Sequence, residues 1–211
     1  MRFPAHPSRP TMRSIPEPAH RLQPPQQRYL RFVRHGATMP NVAGLACGGD
    51  LDAALIDAGR EQAAEIGRRA AAMQPPVGII VTSDLRRTRE TAAIVAKFLP
   101  RVEVLVEPDF GERLLGEWNM RPAEKTRPWL ASGLPPPGGE SEEQFVGRID
   151  GALRKLWPYL EQRPLLVGSR GVARAIGVLL DLPGRVDLGN GALVEFDLSP
   201  FECQPTVWDE L

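Results

Sequence analysis

From residue 28 onward, short aliphatic runs alternate with longer stretches of helical periodicity. Tyr29 to Val33 is a compact apolar run and predicts a strand. Asp57 to Met73 places Ala63, Ala64, Ile66, Gly67 and Ala70 on one face, which predicts a helix capped by Asp57 and ended by Pro75-Pro76. Val77 to Thr82 (VGIIVT) has the continuous aliphatic character of a buried strand. Ser83 is expected to cap a helix from Asp84 to Leu99, with Leu85, Ala92, Ile94, Val95 and Phe98 as its apolar set. Further along, Val102 to Val106, Leu165 to Gly168 and Ala192 to Leu198 read as strands, and Ser141 to Leu160 and Val172 to Leu180 as helices. Pro108 to Glu140, rich in Gly and Pro, reads as a long lid-like loop region. Alternating elements of this kind predict a three-layer α/β/α sandwich with a mostly parallel central sheet.

Residues 1–27 break the pattern. Seven prolines and scattered arginines leave too little apolar surface for a core, so the segment reads as a flexible arm ahead of a folded domain at 28–211. His6 and His20 in that arm are expected to be solvated. Net charge is zero, with 26 basic and 26 acidic side chains, which gives no support to nucleic-acid binding. Any anion site must therefore come from local clustering of arginine, which greatly outnumbers lysine and grips phosphate bidentately. Cys47 and Cys203 are far apart and in no metal-like spacing, so neither a disulfide framework nor a cysteine zinc site is expected. No apolar run approaches the ~18 residues of a membrane span, and no apolar stretch follows Arg2 and Arg13 as in a secretory signal. A cytoplasmic protein is expected, with a homodimer compatible with the sequence.

In open α/β sheets ligands bind beyond the carboxyl ends of the strands. Arg34-His35, Ser83 to Arg87 and Ser169-Arg170 fall at such ends, and Glu112 follows another strand in the loop region. One histidine, several arginines and one carboxylate suit phosphoryl transfer. Guanidinium groups hold the phosphate oxygens, a neutral imidazole attacks phosphorus, and a carboxyl group moves protons.

The motifs carry a resemblance. RHGATMPN (34–41), GDLDAALIDAGREQA (49–63), SDLRRTRETA (83–92), FGERLLGEW (110–118) and PGGES (137–141) follow one another in the order of the histidine phosphatase superfamily, the phosphoglycerate mutase-like fold. The chain resembles that family over most of Tyr29 to Leu198. The resemblance implies His35 as the phosphorylated nucleophile and Glu112 as general acid and base. It implies Arg34, Thr38, Asn41 and Arg87 as phosphate contacts, a small phosphorylated substrate, and no metal or organic cofactor. Family mutases are generally longer around the acid region, so a phosphatase is favoured over a mutase.

One motif departs from the pattern. The family's last strand is followed by Ser-His-Gly, and this chain has Ser169-Arg170-Gly171. Arginine can supply positive charge and donors, but it does not give up its proton at ordinary pH. Arg170 is therefore read either as a phosphate-binding substitute or as a lesion that leaves a non-catalytic binder of a phosphorylated ligand or partner. A pocket redirected to another reaction on an anionic substrate is a third reading. Trp118 is the tryptophan to examine for ligand contact.

Overall fold

The computed structural model describes residues 12–15, 26, 28–183 and 186–201. His6, His20 and Cys203 lie outside them.

Six strands form one sheet: β1 (Met12–Ser14), β2 (Tyr29–Arg34), β3 (Ile79–Thr82), β4 (Glu103–Val106), β5 (Pro164–Gly168) and β6 (Leu193–Asp197). Their order is β1-β4-β3-β5-β2-β6, with every pairing parallel except β2 with β6. The aliphatic runs are continuous because both faces are covered. Phe32, Ile79, Val81, Leu105 and Leu166 enter one core, and Val33, Ile80, Val104, Leu165 and Val167 enter the other. Helices α2 (Asp57–Ala71) and α3 (Arg86–Ala96) cover the second core. Helices α5 (Glu142–Leu156) and α6 (Arg170–Leu179) cover the first. This is the layered α/β arrangement that the periodicity predicts. One turn of helix, α1 (Met39–Val42), follows β2.

Several boundaries differ from expectation. Asp57 is the first helical residue of α2 rather than its cap, which is Ile56; its carboxylate instead accepts from Arg60 Nη1 at 2.7 Å. Ser83 does not cap α3. Its hydroxyl pairs with Thr88 Oγ1 at 2.7 Å, and the helix begins only at Arg86, with Leu85 in the cap position. The region 108–140 is not all loop: α4 (Ala123–Ala131) lies in it despite Pro128 inside the helix. Ser141 caps α5 through a reciprocal box with Gln144, and past Trp157 the helix tightens into a 3₁₀ turn at Trp157–Gln162, where Pro158 cannot donate. Within the proline-rich arm, Met12–Ser14 is a strand rather than flexible chain. It pairs with the edge of β4, and Ile15 behind it is buried in the core.

Because β2, β3, β4 and β5 are parallel, their carboxyl ends share one edge of the sheet. Arg34-His35, Ser83, Glu107 and Ser169-Arg170 leave that edge in sequence-distant segments that become neighbours. The His35 amide donates to the Gly168 carbonyl at 2.9 Å, which joins the first of these turns directly to the last.

Candidate active site

The turn after β2 is built to hold its histidine still. A Cβ on Gly36 would lie 2.1 Å from the Gly59 carbonyl, and one on Gly59 would lie 2.1 Å from the Ala37 carbonyl. The start of α2 therefore packs backbone to backbone against the turn, which only glycine allows. Gln62 on the same helix accepts the Ala37 amide at 2.8 Å. His35 is buried, and its Nδ1 lies 2.7 Å from the Gly36 carbonyl oxygen. That contact is a hydrogen bond only with the proton on Nδ1, so Nε2 carries the lone pair. Burial first, then the Arg87 and Arg34 guanidinium groups, hold this imidazole well below its ordinary pKa. His35 is thus a neutral imidazole among cations, the form a nucleophile needs.

A cavity of about 250 Å³ opens over it. Arg34, His35, Asn41, Arg87, Glu112 and Arg170 all line this cavity. Thr38 does not. It is fully buried, and its hydroxyl donates to Asn41 Oδ1 at 3.0 Å, so it orients Asn41 from behind. Arg87 is buried with Nη1 and Nη2 donating to the carbonyls of Leu51 and Gly48 at 2.8 and 3.2 Å. Arg34 donates from Nη1 to the Leu188 carbonyl at 2.6 Å, while its buried Nε has no partner. Burial, then Arg170, pulls its pKa down to about 10, a strain that a bound anion would relieve.

Glu112 is aimed by backbone. Its Oε1 accepts from the Arg113 amide at 2.8 Å and its Oε2 from the Gly171 amide at 2.9 Å, in the first turn of α6. A Cβ on residue 171 would sit 1.9 Å from Glu112 Oε1, so the glycine after Arg170 makes room for the carboxylate. Arg170 faces the cavity, and its Nε lies 3.3 Å from Asp187 Oδ1. The residue is thus at once part of the cavity wall and one side of an ion pair.

Several contributors are not among the residues singled out from the sequence. Asn190 lines the cavity and donates from Nδ2 to the His35 carbonyl at 3.0 Å and to Asn41 Oδ1 at 3.1 Å. Arg113 lines it with a buried, unpartnered Nη2. Arg148 on α5 forms a two-pronged pair with Glu140 (2.8 and 2.7 Å) and donates to the carbonyls of Asp109, Gly111 and Glu112, so it splints the segment that carries Glu112. Only Arg148 was open to detection, as a basic residue on the predicted helix starting at Ser141. Trp118 is not on the cavity wall; it packs on Trp129, ring centroids 5.3 Å apart. Cys47 does reach the wall, and burial pushes its thiol up, away from the reactive thiolate. Among the described residues no cluster of histidine, cysteine and carboxylate side chains is arranged to hold a metal ion, and no helix is long and apolar enough to cross a membrane.

The chain is similar in sequence and in fold to known proteins. The model of the histidine phosphatase superfamily (branch 1) matches residues 30–210. "Probable phosphoglycerate mutase GpmB" of Photorhabdus laumondii is 34% identical over 194 residues, 83% of this chain and 87% of that protein. The metal-independent phosphoserine phosphatase of Arabidopsis thaliana is 33% identical over 157 residues, 69% of this chain and 65% of that one. A solved structure of mycobacterial glucosyl-3-phosphoglycerate phosphatase with VO3 superposes with a TM-score of 0.68 at 28% identity, covering 80% of this chain and 90% of that one. Matched over most of its length in sequence and in fold, the chain belongs to the histidine phosphatase superfamily, branch 1.

Proposed function

We propose that this protein is a metal-independent phosphomonoesterase that hydrolyses a small phosphorylated metabolite through a phosphohistidine at His35. The observation that carries the reading is the set of unpaired donors around a neutral imidazole. Among the described residues, Arg34 Nε and Arg113 Nη2 on the cavity arginines are buried side-chain donors without a partner, and Arg170 beside them has its Nε turned to Asp187. Buried donors are rarely left without an acceptor unless a ligand supplies one. A phosphate brings several acceptor oxygens and the opposite charge.

The residues then divide the work. Arg34, Arg87, Asn41 and Arg170 hold the phosphoryl oxygens, with Thr38 and Asn190 orienting Asn41. His35 Nε2 attacks phosphorus, the new N–P bond forms as the P–O bond to the leaving group breaks, and Glu112 gives its proton to the departing oxygen. Water then attacks the phosphohistidine, Glu112 takes a proton from it, and the N–P bond breaks to release inorganic phosphate. The phosphatase names among relatives and structural neighbours support hydrolysis. Release of phosphate from a broad panel of monoesters tests it; a purified protein that hydrolyses none of them would contradict it.

A second reading, a binder without turnover, is favoured by the Asp187 contact on Arg170. The substitution Arg170→His separates the two. If Arg170 already serves as the second phosphoryl-holding cation, the variant stays within about tenfold of the parent. A gain of several orders of magnitude would instead identify the parent as a non-catalytic relative.

A further inference from the structure

Asp187 sits in the connection between α6 and β6, and the hydrolytic reading gives it no part. Its Oδ1 lies 3.3 Å from Arg170 Nε and 3.2 Å from Arg174 Nη2. Arg170 and Arg174 are one helical turn apart on α6 and both line the cavity, a spacing at which like charges oppose each other. One carboxylate between them offsets that repulsion. It also determines which edge of Arg170 is engaged. Asp187 meets Arg170 at Nε, at 3.3 Å, and so occupies the edge of the guanidinium away from its two terminal nitrogens. Those are the nitrogens best placed to grip a phosphate through paired donors. The same connection supplies the Leu188 carbonyl to Arg34 and the Asn190 amide to His35 and Asn41. Asp187 therefore belongs to a strip of chain that trims the cavity from one side.

We infer that Asp187 is a positioning residue for anion binding, a counter-ion that fixes the Arg170 guanidinium with its terminal nitrogens directed to the substrate phosphate. A cation on a long, flexible side chain is useful only when its geometry is fixed, and here the fixing group comes from a different segment than the cation. The inference rests on the phosphate-binding part of the function above, not on turnover. Asp187 is more than half exposed, so an amide in its place leaves the core untouched.

The experiment compares the parent, Asp187→Asn, Asp187→Glu, Arg170→Ala and the Arg170→Ala/Asp187→Asn double variant. Affinity for inorganic phosphate is measured by calorimetry, thermal unfolding serves as a check on folding, and KM and kcat are measured with p-nitrophenyl phosphate. Asp187→Asn is expected to weaken phosphate binding about tenfold, mainly in Kd and KM, because the guanidinium loses its fixed geometry. Asp187→Glu recovers part of the loss. In the Arg170→Ala background the same change adds nothing beyond about twofold, since its target is gone. Unchanged or tighter binding in Asp187→Asn overturns the inference, as does an equal loss with Arg170 already removed, which would place Asp187 in a purely structural role through Arg174. A parent that binds no phosphate overturns it as well. Phosphate binding that follows the expected pattern without any hydrolysis refutes the phosphatase reading and leaves this one standing.

Discussion

His35 pairs burial with a deficit of protons, and this has a measurable sign. The imidazole is held well below its ordinary value of 6.5 by burial and by Arg87 and Arg34. As pH falls below that value the unfolded chain takes up a proton that the folded chain refuses. The unfolded state then binds more protons, so stability rises with pH up to about 6.5 and falls as pH drops below it. This one residue contributes a slope of at most ~1.4 kcal/mol per pH unit. Urea unfolding of the parent and of His35→Gln at about pH 7 and about pH 5 checks this, with the variant expected to show the shallower dependence. The placement of this residue, at a strand end and on the cavity wall, was legible in sequence because arginine, glycine and an apolar run flank it. Thr38 was legible as a member of the motif but not in its placement: matching a motif does not say which side chain reaches the ligand and which one stands behind it. Asn190 and Arg113 carried no signal, since a single polar residue in a loop looks the same whether it faces solvent or a cavity.

At the level of elements, the first turn of α6 and the segment from Asp109 to Glu112 must meet for the Glu112 carboxylate to be aimed into the cavity. Gly171 permits the meeting and Arg148 secures it. Gly171→Ala places a methyl group where a Glu112 oxygen lies, and is expected to lower kcat on the order of 100-fold while inorganic phosphate still binds. Steady-state kinetics beside calorimetry reads that split. Arg148→Ala removes a half-buried two-pronged pair together with three carbonyl contacts, and should lower stability by about 2 kcal/mol and kcat with it, as measured by urea unfolding and turnover. Strands and most helices were legible because apolar spacing fixes them. The helix α4 was not, since its prolines and neighbouring glycines mimic a loop; Pro122 only precedes it, and the fold tolerates Pro128 inside. The caps expected at Asp57 and Ser83 lie one and two residues away, at Ile56 and Leu85, because a side chain able to cap can be drawn to another partner, as Ser83 is to Thr88.

At the scale of the whole molecule, parallel strands convert sequence distance into spatial proximity. The turns after β2 and β5 are more than a hundred residues apart, yet one backbone hydrogen bond joins them. That convergence was inferable from strand–helix alternation alone. The role of the chain before residue 28 was not, because three residues of strand give no periodicity. β1 lengthens the sheet at the end away from β6, with Ile15 buried behind it. Removing residues 1–15 should cost about 2 kcal/mol or more, from the loss of Ile15 burial and of the edge pairing, and leave kcat/KM unchanged, because among the described residues of that segment, 12–15, none lines the cavity. Thermal unfolding and steady-state kinetics on the shortened chain check both halves.

The central claim is that a phosphoryl group passes through His35. Rapid acid-free quenching during turnover of a phosphomonoester, followed by peptide mapping in mass spectrometry, tests it most directly. The account predicts a phosphoryl group on the imidazole of His35, stable to base and labile to acid, and absent in His35→Gln together with turnover. Phosphate release that continues in His35→Gln, or turnover with no phosphorylated His35 at any time point, would contradict it.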